Sequence, residues 1–178
     1  MENEFIKTLK KRRSIYSLTN DVPISKEQIS EIIKHAIKHS PSAFNSQSSR
    51  AVILFENHHF QLWDIVEGTL RTIVPQEDFS RISAKIDTFR KGLGSILFFE
   101  DVDVINCYEK EYPLYAKNFS DWAEQSTGIA QFAVWTSLAN ENIGASLQHY
   151  NPLIDNKVKE TWNLPDAWIL KAQMPFGE

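Results

Sequence analysis

The stretch Pro41-Ser42-Ala43-Phe44-Asn45-Ser46-Gln47-Ser48-Ser49-Arg50, followed at once by Ala51-Val52-Ile53-Leu54-Phe55, joins two unlike patterns. Upstream, Ile29, Ile32, Ile33, Ala36 and Ile37 recur on one helical face, and Ser25 with Gln28 has capping-box spacing. Pro41 lacks the N–H that another turn needs, so the helix stops near Ser40. Downstream, the unbroken apolar run predicts a buried strand. The polar segment between them is a loop at a strand mouth. Loops carried by a rigid scaffold are where binding side chains concentrate.

Outward from that junction the alternation repeats. Phe5, Ile6 and Leu9 predict an opening helix ending in Lys10-Lys11-Arg12-Arg13. Phe60, Trp63, Val66 and Leu70, then Phe79, Ile82, Ile86 and Phe89, predict two more helices. Gly94 opens a second apolar run, Ser95-Ile96-Leu97-Phe98-Phe99, read as an interior strand. The segment around Tyr108, Tyr112 and Tyr115 is aromatic and charged and has no clear period. Trp122, Gln125, Ile129, Phe132, Ala133, Thr136 and Leu138 fit a long buried helix closing near Asn140 to Asn142. Ile143 to Tyr150 turns back toward strand, Ile154 to Leu164 suggests a short helix, and Ala167 to Gln173 a last strand. This order predicts a layered α+β or α/β domain with no internal boundary.

Composition narrows the function classes. The 178 residues are 42% hydrophobic and 24% charged, a globular balance. Nineteen basic against 23 acidic side chains leave a formal charge of −4, with no global pull toward nucleic acid or an anionic membrane. A single cysteine, Cys107, excludes an internal disulfide framework and reads as a small packed residue. Met1-Glu2-Asn3-Glu4 has no basic region followed by an apolar stretch, and no run is long enough to span a membrane. The expectation is a cytoplasmic enzyme or binding domain, with no nucleic-acid or membrane partner.

Three segments can carry chemistry. Arg12-Arg13-Ser14 offers two guanidinium groups and a hydroxyl suited to a phosphate, although a basic helix end also complements the helix dipole. Asn45 and Gln47 can each donate and accept, which suits a heterocycle bearing carbonyl and ring nitrogen groups; a solvated turn is the blander alternative. In Ile143-Gly144-Ala145-Ser146-Leu147, small residues permit close backbone approach, or Gly144 ends the helix. The sequence has no GxGxxG fingerprint, P-loop, HExxH or GxSxG elbow, and its five histidines form no recognised metal set. No catalytic acid, base or metal ligand is assigned.

Taken in order, the Arg-Arg-Ser start, the Pro-Ser-x-x-Asn-x-Gln loop at Pro41 to Gln47 and the Gly-x-Ser turn at Gly144 to Ser146 resemble the FMN-dependent nitroreductase family. The long helix and Lys171-Ala172-Gln173-Met174-Pro175-Phe176-Gly177 are similar to its small subgroup of yeast fatty-acid-repression and homologous nitroreductase proteins. The resemblance implies a single nitroreductase-like α+β domain over residues 1–178, a mixed sheet flanked by helices in α/β/α layers. It further implies a homodimer with two FMN sites at the interface. Arg12, Arg13 and Ser14 would hold the phosphate. Ser42, Ala43, Phe44, Asn45 and Gln47 would border the flavin, and Gly144, Ala145 and Ser146 would approach the ring through backbone groups.

The implied activity is NAD(P)H-dependent reduction of nitroaromatic or quinone-like acceptors, with NADH or NADPH and the acceptor alternating in a ping-pong cycle. A flavin-binding redox sensor linked to lipid or oxidative stress is the alternative. Two departures stand out. Ser48-Ser49-Arg50 replaces the proline and aromatic residue of larger members, leaving Arg50 to steer an anionic acceptor or face solvent. The basic phosphate contact in the C-terminal tail of larger members is not present in this chain, which ends at Glu178.

Overall fold

The structure, a computed structural model, describes residues 3–178. Met1 and Glu2, part of the opening read for a leader, lie outside the described residues. The elements in chain order are α1 (Glu4–Lys11), α2 (Lys26–Lys38), β1 (Ser49–Phe55), α3 (Glu56–Arg71), α4 (Gln76–Arg90), β2 (Gly94–Asp101), α5 (Val102–Glu111), α6 (Phe119–Asn140), β3 (Gly144–Ala145), α7 (Asp155–Trp162) and β4 (Trp168–Gly177). Short 3-10 turns occupy Ala43–Asn45 and Pro113–Asn118.

Local chemistry accounts for the helix boundaries. The Ser25 hydroxyl accepts from Gln28 N while the Gln28 side chain accepts from Ser25 N, which completes the capping box of α2. Asp101 caps α5 by accepting from Asp103 N at 3.2 Å. The uncertain tyrosine segment is helical, but α5 buries none of its residues, so no apolar stripe announces it. Cys107 is exposed on α5 rather than packed. The half-buried side of α5 is formed by Val102, Val104, Ile105 and Tyr108, and Cys107 is not part of it.

The sheet runs β1-β2-β4-β3, with each of these pairs antiparallel. A parallel element enters through the bridge between Ser14 and Ala145. Strand side chains alternate between faces, so a strand covered on both sides reads as an unbroken apolar run. In β2, Ile96 and Phe98 pack with Ile29, Ile33, Val134 and Leu138 of α2 and α6. Leu97 and Phe99 pack with Leu62, Trp63, Val66, Ile86 and Phe89 of α3 and α4 and with Val158 of α7. Two cores on opposite faces make the α/β/α layering.

The ladder between β2 and β4 carries one irregularity. Phe98 pairs with Ala172 while Phe99 pairs with Leu170, so Lys171 is the extra residue of a bulge. The bulge lets Leu170 serve one core and Ala172 the other, although they are two residues apart. Lys171 then pairs with Glu124 of α6.

Candidate functional site

The basic end of α1 is divided among different tasks. Lys11 Nζ donates to Asn140 O at 3.1 Å, so it complements the carbonyl end of α6 rather than only its own helix. The Arg12 guanidinium lies 4.3 Å from the centroid of the Trp135 ring, a cation–π contact that fixes its direction. Arg13 is exposed and has no hydrogen bond or ion pair among the described residues.

Ser14 is exposed and bridges Ala145, and Ile15 N donates to Ala145 O at 3.0 Å. The first and third sequence segments therefore meet. A Cβ added at Gly144 would lie 3.1 Å from the Ile15 side chain, so this close crossing favours glycine. Lys11, Arg13, Ile15, Asn142 and Gly144 line a surface cleft of about 220 Å³. Ala145 and Ser146 are buried beneath it. Their polar groups are committed: Ala145 O to Ile15, Ser146 N to Pro175 O at 3.3 Å, and Ser146 Oγ to the Gln148 amide at 3.0 Å.

The second segment is a self-bonded loop. Ser42 Oγ accepts from Gln47 N at 2.9 Å, Ser42 O accepts from Asn45 N at 2.9 Å, and the Gln47 amide donates to Asn45 Oδ1 at 3.3 Å. Phe44, Asn45 and Gln47 adopt φ of 54°, 53° and 52°. Asparagine tolerates that left-handed conformation, whereas phenylalanine seldom adopts it. Its ring is held by Tyr112, Phe119, Tyr115 and Trp122, with centroids at 4.8, 5.3, 5.7 and 5.8 Å. The tyrosines that had no clear period are thus part of a socket for the loop tip. Asn45 and Gln47 remain exposed, and Ala43 is half-buried under them.

Ser42 and Gln47 line a second cleft, of about 290 Å³, with Lys38, Ser49, Arg50 and Ser126. Arg50 is spent on bracing: it donates to Gln47 O at 2.6 Å and Ser49 O at 3.1 Å and pairs with Asp101 at 3.0 Å. Beneath the cleft floor lies a group that the motifs did not reveal. Ser49 Oγ donates to the buried Glu100 carboxylate at 3.0 Å and lies 3.3 Å from Thr127 Oγ1. An acid closing the apolar run of β2 was its only trace in the sequence. Burial pushes the Glu100 carboxyl above its ordinary pKa, and Glu124 adds to that; Ser48, Ser49 and Lys171 oppose it.

The clefts share no lining residue. Arg13 and Gly144 belong to one, Ser42 and Gln47 to the other. Among the described residues, no group of three or more His, Cys, Asp or Glu side chains is arranged to hold a metal ion.

Helix layers on both faces of one sheet, with Arg13 at one cleft and the Gln47 amide at another, define an α/β protein with two candidate ligand clefts. The nitroreductase family model matches residues 9–178, and this chain belongs to the nitroreductase family. The yeast protein HBN1 of Saccharomyces cerevisiae is 35% identical over 175 residues, covering 97% of this chain and 86% of that protein. Nitroreductase FRM2 of the same yeast is 30% identical over the same shares. These two relatives support the small yeast-type subgroup. Nitroreductase CinD from Lactococcus lactis, solved in complex with nicotinic acid, is 45% identical with a TM-score of 0.92, covering 98% of this chain and 89% of that one. CinD has also been solved with chloramphenicol and with 4-nitrophenol.

Proposed function

We propose that this chain is an FMN-dependent oxidoreductase that works as a homodimer, takes electrons from NADH or NADPH and reduces nitroaromatic or quinone-like acceptors. The observation that carries the reading is the separation of the two clefts within one chain. A phosphate-type half and an amide-type half that share no lining residue make a complete site when two copies meet. A surface for that meeting exists. Phe5, Ile129 and Phe132 are 60%, 43% and 42% exposed around an apolar groove between α1, α2 and α6. The complexes of CinD support small molecules as the ligands.

The residues fit the cofactor. Arg13 has free donors for a phosphate, Arg12 is pre-aimed by Trp135, and Ser14 adds an exposed hydroxyl. Gly144, packed against Ile15, lines the same cleft as Arg13. Asn45 Nδ2 and the outer face of Gln47 can pair with ring carbonyls and ring nitrogens. When bound, FMN supplies two-electron hydride chemistry or single-electron transfer. Amide donors fixed in a strained loop stabilise negative charge developing on such a ring without reorganising first. Reductant and acceptor would use the same face in turn, a ping-pong order.

The test is a visible spectrum of purified protein after FMN incubation and removal of free ligand, followed by anaerobic NADH or NADPH. Flavin bands that persist and then bleach, with reoxidation by 4-nitrophenol or a quinone, are the expected result. Retained bands that neither reductant bleaches would point to a flavin-binding regulator. No retained flavin would overturn the proposal.

A further inference from the structure

Three consecutive carbonyls at the end of the amide-bearing loop are held by the two members of one ion pair. Arg50 Nη1 donates to Gln47 O at 2.6 Å and to Ser49 O at 3.1 Å. Between them, Ser48 O accepts from Asp101 N at 3.0 Å. The side chains then close on each other, with Arg50 Nη2 donating to Asp101 Oδ2 at 3.0 Å. A planar guanidinium suits this arrangement, because one nitrogen serves carbonyls while the other serves a carboxylate.

Asp101 has a second duty. Its Oδ1 accepts from Asp103 N at 3.2 Å, which caps the start of α5. The far end of the same helix also meets the loop: Tyr112, which follows the last turn of α5, holds the Phe44 ring with centroids 4.8 Å apart. The stretch from Phe44 to Gln47, which carries both amides, is thus fastened at its two ends to the two ends of one helix. Phe44, Asn45 and Gln47 have positive φ, a conformation that persists only when its surroundings enforce it. α5 fully buries none of its own residues, so these end contacts weigh heavily in fixing where it lies.

We propose that Arg50 and Asp101 are positioning residues and that α5 is a splint for the loop. The ion pair at one end of the helix and Tyr112 at the other set the spacing at which Asn45 and Gln47 meet a ligand. Arg50 acts through the loop and does not itself steer an anionic acceptor, the role its place at the cleft would otherwise suggest. The inference rests on the flavin reading for the identity of the ligand; the fastening of the loop is independent of it.

The first measurement is amide hydrogen exchange of the ligand-free protein at a single pH, comparing residues 42–48 with residues 102–111. Asp101→Asn separates the two duties, because asparagine still caps a helix but carries no charge for Arg50. Exchange in 42–48 should quicken roughly tenfold, the lower range for a hydrogen bond to a charged group, while 102–111 keeps its wild-type rate. Arg50→Ala should do the same, and the double variant should go no further than either single one. Asp101→Ala should quicken both segments, since the cap is lost as well. Arg50→Lys keeps the charge without the fork and should fall between wild type and Arg50→Ala; it carries the test if the alanine variant folds poorly. Unchanged exchange in 42–48, or effects that multiply in the double variant, would overturn the proposal.

The second measurement separates positioning from steering. In protein loaded with FMN, Arg50→Ala should lower kcat/KM for neutral 4-nitrobenzyl alcohol and anionic 4-nitrobenzoate by the same factor. A loss confined to 4-nitrobenzoate would make Arg50 the anion-steering group and overturn its positioning role. The expected exchange pattern in a protein that binds no FMN would uphold the fastening of the loop and sink the flavin reading instead.

Discussion

A cation without a hydrogen bond or ion pair among the described residues, beside two neighbours that are engaged, is the side chain we propose for the ligand. Arg13 is that residue, since Lys11 caps α6 and Arg12 rests on Trp135. Arg13→Ala should lower FMN affinity by roughly 10- to 100-fold, the worth of a charge-assisted hydrogen bond, with thermal stability almost unchanged. Arg12→Ala should lower both, because it also strips the Trp135 face. Fluorescence titration and thermal melts separate the two. The same scale holds a pH signature unrelated to the cleft. Fully buried His59 lies 3.1 Å from Arg90 O and 2.9 Å from Ser95 Oγ. A carbonyl can only accept, so Nε2 carries the proton and Nδ1 accepts from Ser95, whose oxygen in turn accepts from Trp63 Nε1 at 3.1 Å.

Burial lowers the His59 pKa from 6.5 to about 4. Between those values the unfolded chain binds more protons than the folded one. Stability therefore falls as the pH drops through that window, by up to roughly 3 kcal/mol. Urea denaturation at about pH 7.5 and about pH 4.5 should reveal the slope, and His59→Gln should flatten it.

Among elements, the loop 41–48 and its aromatic socket behave as a unit. Phe44 spans the gap between a strained backbone and the rings of Tyr112, Tyr115, Phe119 and Trp122. Phe44→Ala should destabilise the fold by about 1–2 kcal/mol, since the ring is only half covered, and should weaken ligand binding because Asn45 and Gln47 lose their anchor. Denaturation and ligand titration on one preparation would measure both effects. The elements legible in the sequence were α2 from its isoleucines and β2 from an apolar run buried on both faces. β1 is a strand as read but is half-buried except at Leu54. α6 is a helix as read, but Gln125, Ile129 and Phe132 of the stripe expected to be buried are exposed, while Ala123, Ala130 and Val134 face the core. α5 was not legible because it buries nothing, and β3 showed only as a longer extended stretch at 143–150, because two residues make no pattern of their own. Of the site, the exposed donors at Arg13, Asn45 and Gln47 could be read from motif order. Glu100 could not, because its meaning comes from strand register and from a lysine displaced by a bulge.

At the scale of the molecule, the apolar groove of about 600 Å³ between α1, α2 and α6 is the surface that a second copy would cover. Phe132→Lys should therefore yield a monomer in sedimentation velocity, with FMN affinity lost in parallel because each cleft would be left as half a site. Retention of a dimer would remove this face from the interface. A charge on an exposed residue should leave the melting temperature of the isolated chain nearly unaltered.

The order of the strands also governs how the chain reaches this state. β2 lies between β1 and β4, and the segments 56–93 and 102–167 separate it from those partners. Neither neighbour can be recruited by a short turn. The central strand must wait for two long excursions to close, with α3 and α4 in one and α5, α6 and α7 in the other. Those helices can form early from local contacts, while the ladder that organises them is assembled last. Refolding should accordingly be slow for a chain of this helix content, on the scale of milliseconds to seconds. During that interval an unpaired β2, apolar from Ile96 to Phe99, is the segment most exposed to association with other chains.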